Sequence, residues 1–190
     1  MHQLTQTRQF NAAYAAACVF ALFAGFTAGI ALIPDGLLQS DRIDARTIKT
    51  HFFHSRSVDK TLMGTGWMPA GSDGTWSRGR KSEMQISVDR NLAKSLELEF
   101  VLFPYLAKQH KKQAVRITVN GHEVGRWKFK APMRRNLRSV DVNKTIWRLH
   151  DPVQIGFEYA NPKSPAELGM GGSQEQLAIR LSSLVVRKQR

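Results

Sequence analysis

The residues best suited to chemistry stand in one short run, Arg126-Trp127-Lys128-Phe129-Lys130, where charges and rings alternate. An extended strand sends successive side chains to opposite faces. Arg126, Lys128 and Lys130 therefore share one face, and Trp127 and Phe129 share the other, the expected core side. Arg134, Arg135 and Arg138 follow shortly after, and Lys108, Lys111 and Lys112 occupy another polar loop ahead of a strand. A cationic face attracts anionic partners: charged polysaccharide, anionic lipid headgroups, an acidic protein or nucleic acid. The competing reading is a solvated face that keeps a domain soluble.

Flat aromatic rings are the second chemical resource. A ring can stack on the apolar face of a sugar while a neighbouring polar group fixes the hydroxyls. Trp67, Trp76, Trp127 and Trp147 are the candidates, and each also suits a core. Trp76 is the best platform, because Asp73, Ser77 and Arg78 flank it in a turn-rich stretch. The same stretch also fits a Trp that pins the turn. Asn161 to Gly169 is rich in turn formers, with Pro162 and Pro165 fixing a loop. Structural use is its first reading, and Glu167 is its one residue suited to lining a cleft.

Catalytic and metal chemistry find little support. His51 and His54 stand three apart with no Cys, Asp or third His nearby to complete a site, so no metal and no other cofactor is expected. The sequence holds no Gly-x-Ser-x-Gly, His-Glu-x-x-His, P-loop or Gly-x-Gly-x-x-Gly. Acidic residues are few and scattered, which gives a hydrolytic carboxylate pair no placement. His110, His122 and His150 lie near turns without an evident nucleophile. A non-catalytic protein is expected. An enzyme of cell-envelope carbohydrate would need two carboxyl groups converging in one cleft.

These residues need elements to hold them. The chain has 190 residues, with 28 Lys and Arg against 15 Asp and Glu, a net charge of +13, and 42% hydrophobic residues. That apolar share excludes a disordered chain. The single Cys, Cys18, excludes an internal disulfide framework. Only one long apolar run exists, Ala12 to Ile33, which excludes a multi-pass membrane protein. Its length of roughly 33 Å as a helix exceeds a hydrocarbon core of about 30 Å. It is read as an uncleaved single-pass anchor, with a cleaved signal peptide or a buried helix as alternatives. Ala13, Ala17, Ala21, Gly25 and Gly29 recur every four residues along it. Such a stripe lets another helix approach closely, either a copy of itself or a helix of a larger complex. Cys18 within it reads as a small apolar residue. The flanking charges, counted literally, would keep the C-terminal part in the cytoplasm, but long domains translocate largely regardless of charge.

The expected organisation is a tail at 1–11, the span at 12–33, a linker at 34–60 and a β domain at 61–190. A short helix within Ile43 to Val58 is the alternative to a plain linker. Strands are expected at Glu83–Val88, Leu96–Phe103, Ala114–Val119, Glu123–Lys130, Leu137–Val142, Val153–Tyr159 and Gln176–Val186. Asn120-Gly121 is a strong hairpin signal. About eight strands without a convincing helix predict an antiparallel β-sandwich or jelly roll.

The order Trp67, Gly74-Thr75-Trp76-Ser77, Val119-Asn120-Gly121, Asn161-Pro162-Lys163-Ser164-Pro165-Ala166-Glu167-Leu168-Gly169, then Leu177-Ala178-Ile179-Arg180-Leu181 resembles one jelly-roll module. It is similar to the extracytoplasmic sandwich attached to bacterial membrane proteins of glycan assembly, within the shape class of galactose-binding-like and carbohydrate-binding domains. The likeness covers about 61–187. The acidic and basic residues of that pattern are replaced here by Gly171-Gly172-Ser173-Gln174. The resemblance implies a single-pass protein of the bacterial inner membrane with its C-terminal domain in the periplasm. There it would be a binding or accessory subunit for glycan or a glycan-handling enzyme. The alternative is a purely structural subunit of a larger membrane complex. Anionic glycan or lipid headgroups remain the candidate ligands for Trp76, Arg126, Lys128, Lys130, Arg134 and Arg135. Nucleic acid is not expected outside the cytoplasm.

Overall fold

The computed structural model describes residues 47–54, 62–91, 95–132 and 134–189. The tail 1–11, the expected span 12–33 and its stripe (Ala13, Ala17, Ala21, Gly25 and Gly29) lie outside them. Among the described residues no helix is long and apolar enough to cross a membrane.

The described elements are β1 (Thr47–Phe52), β2 (Thr75–Trp76), β3 (Lys81–Ile86), β4 (Leu96–Pro104), β5 (Lys112–Val119), β6 (His122–Lys130), β7 (Asn136–Val142), α1 (Lys144–Trp147), β8 (Val153–Tyr159) and β9 (Ile179–Lys188). The first sheet runs β1-β9-β4-β7, with β2 also paired to β9, and the second runs β3-β8-β5-β6. Every pairing is antiparallel. One core cluster draws on both sheets: Leu98, Phe100 and Leu184 from the first, Ile117, Trp127 and Phe157 from the second. The fold is mainly β, an antiparallel two-sheet sandwich, as the alternation predicts.

Strand β1 departs from that expectation, since it takes in residues read as linker or short helix. Its period was obscured for a physical reason. It is an edge strand with a register irregularity between Thr47 and Lys49. Only His51 is buried among its residues, opposite Leu184. The short helix α1 was also not anticipated. Asn143 caps it by accepting a bond from the Thr145 N–H at 3.0 Å, and Trp147 is its buried anchor.

In β9 the alternation slips. Ile179, Leu181, Leu184 and Val186 all face the core, so the inward set changes phase near Ser182-Ser183. The register against β4 shifts at the same place, where Val101 opposes Ser183 and Leu102 opposes Leu181. One extra residue in β9 restores the inward phase, which is the use of a β-bulge.

The β5–β6 hairpin turns at Asn120 and Gly121, both left-handed with φ of 48° and 81°. That pair suits the turn that matches strand twist. Asn120 does more than turn the chain. Its side-chain amide donates to the Ile146 carbonyl at 2.8 Å and the Trp147 carbonyl at 3.2 Å, and its oxygen accepts from the Gln154 N–H at 2.8 Å. It ties the hairpin to α1 and the start of β8. Asn120→Gly keeps the left-handed backbone and removes these bonds, so it should cost about 2–3 kcal/mol. Asn120→Ala should cost about 1 kcal/mol more, because a Cβ disfavours the left-handed region. Denaturant unfolding of the full chain, followed by Trp fluorescence, measures both.

Candidate functional site

Alternation divides β6 as expected. Trp127 and Phe129 are buried, while Arg126, Lys128 and Lys130 are exposed on the outer face of the second sheet. The pairing then adds what linear sequence could not. Lys112 on β5 lies directly opposite Lys130, Ala114 opposite Lys128, and Arg116 opposite Arg126. The Ala131 N–H donates to the Lys111 carbonyl at 2.9 Å, which joins the two loops at this end. The Lys108–Lys112 loop and the β6 lysines, separate in the sequence, thus form one basic region. Arg134 and Arg135 stand exposed in the next loop, towards β7. Arg138 instead lies with its guanidinium 5.3 Å from the Phe129 ring centroid.

The cations on this face fall into two kinds. A ladder of ion pairs crosses all four strands of the second sheet. Lys81 meets Glu158 at 3.1 Å, and Glu158 holds Arg116 through both Nε, at 3.0 Å, and a terminal nitrogen. Arg116 lies 3.8 Å from Glu123, whose two oxygens accept from Arg126 at 2.6 and 2.9 Å. Arg126, expected as a ligand contact, is therefore held by Glu123. Lys112, Lys128 and Lys130 make no ion pair among the described residues.

These three lysines line two adjoining depressions of about 290 and 490 Å³. Both depressions share Ala114, Lys128 and Ala160. Arg116, Arg126 and Glu158 stand at the inner one, and Lys112, Lys130 and Asn161 line the outer one. The result is a trough over Ala114 and Ala160, with Lys128 and Lys130 on its β6 side, Lys112 at its outer end, and Glu158 and Asn161 on its β8 side.

Trp76 lies elsewhere. Thr75 is buried and donates to the Phe53 carbonyl at 2.9 Å, so Trp76, its neighbour on β2, faces outward from the first sheet. The Trp76 ring meets Tyr105 edge-on at 5.5 Å and packs against a small cluster of Tyr105, Leu168 and Leu177. The Arg180 guanidinium lies 5.4 Å from its ring centroid and pairs with Asp73. Trp76 and the lysines thus occupy opposite outer faces, and the fold does not bring them into one site. The other Trp residues pack as well. Trp127 and Trp147 are buried, and Trp67 donates to the Glu83 carbonyl at 2.8 Å while meeting Phe157 edge-on at 5.7 Å.

The Asn161–Gly169 loop has a structural explanation. Ser164 and Glu167 form a reciprocal capping box: Glu167 N–H donates to the Ser164 hydroxyl at 3.1 Å, and Ser164 N–H to the Glu167 carboxylate at 2.8 Å. Pro165 follows the cap, where a missing N–H is harmless. Lys163 also binds Glu167 at 2.9 Å. These bonds hold the Glu167 carboxyl below its usual range, the Ser164 backbone contributing most.

Two buried polar groups near this loop were not singled out as a pair. His110 and Gln113 are both buried, and His110 Nδ1 lies 3.5 Å from the Asn161 amide. Burial, then the Lys163 charge, lowers the His110 pKa; Gln113 acts in the opposite sense, although its side-chain amide falls short of hydrogen-bond geometry to any partner. Among the described residues no three His, Cys, Asp or Glu gather as a metal group.

No family model matches the chain, and no curated protein matches it. Solved structures of similar shape include a family GH115 4-O-methyl-α-glucuronidase with specificity for decorated arabinogalactans, at 8% identity and a TM-score of 0.44, over 77% of this chain and 18% of that one. Another is the CBM36-1 domain of a multidomain xylanase from the hindgut metagenome of Trinervitermes trinervoides, at 11% identity and 0.39, over 75% of this chain and 99% of that one. A third is a family 35 carbohydrate binding module from Clostridium thermocellum, at 11% identity and 0.34, over 74% and 99%. Carbohydrate-binding-module sandwiches are thus among the similar structures, as the sequence resemblance implies. The chain spans less than a fifth of the glucuronidase. At such low identities and scores, none of these likenesses assigns a ligand or a catalytic role to a residue here.

The ladder makes stability depend on acid. Arg116, followed by Lys81, lowers the Glu158 pKa, and Arg126 does the same for Glu123, both from 4.5. A carboxylate with a depressed folded pKa contributes stability that is present above its unfolded value. That contribution is lost as pH falls through the folded one. Thermal melting should therefore drop below about pH 4.5. Glu158→Gln should lower the melting temperature at pH 7 and flatten this acid limb. A variant with an unchanged acid limb would show that the ladder carries none of it.

Proposed function

We propose that the chain is a membrane-anchored, non-catalytic binding subunit whose sandwich is a jelly roll on the periplasmic side of a bacterial inner membrane. The lysine face of the second sheet takes an anionic glycan, serving a glycan-handling membrane enzyme. One observation carries the ligand reading. Lys112 and Lys130 oppose each other directly across a strand pair, with Lys128 beside them and no carboxylate paired to any of the three among the described residues. Like charges directly opposite are destabilising, and a face kept only for solubility has no use for that arrangement. An anion seated between them converts the repulsion into binding energy.

Thr47 begins β1 opposite Arg187, which faces Glu97 at the start of β4. Lys112 and Lys130 lie by the end where β4 leaves the sheet at Pro104. Within the sandwich, the start of β1 lies at one end and the free lysines at the other.

Full-length chain in neutral detergent tests the reading by titration with acidic and neutral glycans. Acidic glycans should bind at low salt and weaken as salt screens the charges. Replacing Lys112, Lys128 and Lys130 together with Ala should abolish binding and leave the melting temperature unchanged or higher. Equal binding of neutral glycans, or retention by the triple variant, would count against it.

A structural role within a larger complex is favoured by a separate observation. Phe52, Ser183, Val101 and Leu137 form one cross-strand row on the outer face of the first sheet. Phe52 and Leu137 are 50% and 57% exposed. A structural subunit should co-purify stoichiometrically with one membrane assembly from gently solubilised native membrane. Phe52→Ser combined with Leu137→Ser should release it. Recovery of the wild-type chain alone removes this second reading.

A further inference from the structure

We infer that the trough on the second sheet seats a linear acidic polysaccharide lengthwise, over several consecutive units, rather than a single terminal sugar. This rests on the glycan reading and specifies its ligand. Three features carry it.

The first is shape. The two depressions adjoin through Ala114, Lys128 and Ala160, so the space is elongated along β5 rather than a single cup. From Lys112 to Arg116 the strand advances roughly 14 Å, the length of a few linked sugars. The outer depression lies beside Lys112 and Lys130, where β5 starts and β6 ends.

The second is the division of labour among cations. Planar Arg forks recognise one carboxylate bidentately. Here both forks bordering the trough are occupied, Arg116 by Glu158 and Arg126 by Glu123. Among the described residues, the cations that line the trough without an ion pair are ammonium groups on flexible stems. Those are point charges that follow a row of anions rather than reading the stereochemistry of one acid. Lys128 and Lys130 line the β6 side and Lys112, on β5 itself, lies opposite Lys130, so the free charge forms a row along one side and across the outer end of the trough, while Glu158 stands on the β8 side.

The third is the floor. Ala114 and Ala160 are too short to obstruct a chain laid over them, and their methyls suit the apolar faces of sugar rings. Each unit adds a modest contact, and linkage makes the later contacts intramolecular.

The probe is a galacturonate ladder, from monomer through dimer and trimer to hexamer, titrated into full-length protein in neutral detergent at low salt. Affinity should climb at least tenfold from monomer to hexamer. Ala114→Phe, which raises the floor, should erase most of that gain while leaving the melting temperature near wild type. Should that variant fold poorly, Lys128→Ala replaces it and should reduce hexamer affinity more than dimer affinity. Equal affinity from dimer to hexamer would mean terminal recognition; it would overturn the lengthwise seat and leave the anionic-glycan reading standing. Full hexamer affinity in well-folded Ala114→Phe, or a Lys128→Ala loss equal for dimer and hexamer, would also overturn it. Failure of every member to bind would overturn both.

Discussion

The structure depends first on a ring cluster held between the two sheets. Phe100 on β4 meets Trp127 on β6 at 5.4 Å and Phe157 on β8 at 5.6 Å, while Trp127 also reaches Phe129 at 6.4 Å. These contacts bury some of the largest apolar surfaces in the domain, and aromatic pairs add about 0.5–1.5 kcal/mol each beyond area. Because a strand has a period of two, fixing Trp127 and Phe129 inward leaves the intervening residues no choice. Arg126, Lys128 and Lys130 must face water, in line, at a spacing set by the backbone. A one-residue slip of β6 would bury three charges and expose two rings, a change far costlier than any surface repulsion. The basic face is thus positioned by the core beneath it. Gly125 serves the same layer: a Cβ there would come within 2.8 Å of Val140 on β7, so its absence lets β7 approach β6.

Charge is then distributed over this fixed face. The second sheet neutralises its middle with a ladder from Lys81 to Arg126 and leaves the Lys112–Lys130 end unneutralised. Exposed ion pairs contribute little to stability individually. Their larger effect is geometric, since each Arg bound by a carboxylate is held in one place and withdrawn from solvent-borne anions. Lys128 is one position beyond the ladder on the same face, yet the two sets of cations meet different fates.

Sequence reading caught the parts of this arrangement that are local. Short apolar and alternating runs bounded by turn residues located seven of the strands, the Asn-Gly pair located the hairpin, and the two-faced character of β6 was visible in five consecutive residues. What escaped it was nonlocal. The opposition of Lys112 and Lys130 follows from a register with a slip between Ile117 and Thr118, and no count of separate basic segments contains that pairing. The commitment of Arg126 to Glu123 was hidden for another reason. The two stand three apart on one strand, odd in number, and a regular strand would send them to opposite faces; the same irregularity puts both against Arg116. Strand β1 was missed because an edge strand buries so little that its pattern carries almost no period. Trp76 and the lysines were grouped by chemical type, and their separation onto opposite faces is a property of topology alone.

The loop from Asn161 to Gly169 shows how a distinctive motif can report on folding rather than on ligand. Its Pro, Ser, Glu and Gly each have a mechanical task. Ser164 and Glu167 satisfy one another's backbone N–H, Pro165 starts the turn, and Gly169 ends it with φ of +64°. Leu168 then drops into the small cluster under Trp76. The specificity of that sequence is accounted for by local hydrogen bonds before any ligand is considered. The lysine end has the opposite character. Nothing in the packing requires Lys112, Lys128 or Lys130 to be cationic, since each is exposed and without a carboxylate partner among the described residues. Two of them stand where their charges repel. A residue type that stability neither needs nor favours is better evidence of function than a rare motif that stability explains. On that ground the plain lysines outweigh both the elaborate loop and the candidate Trp.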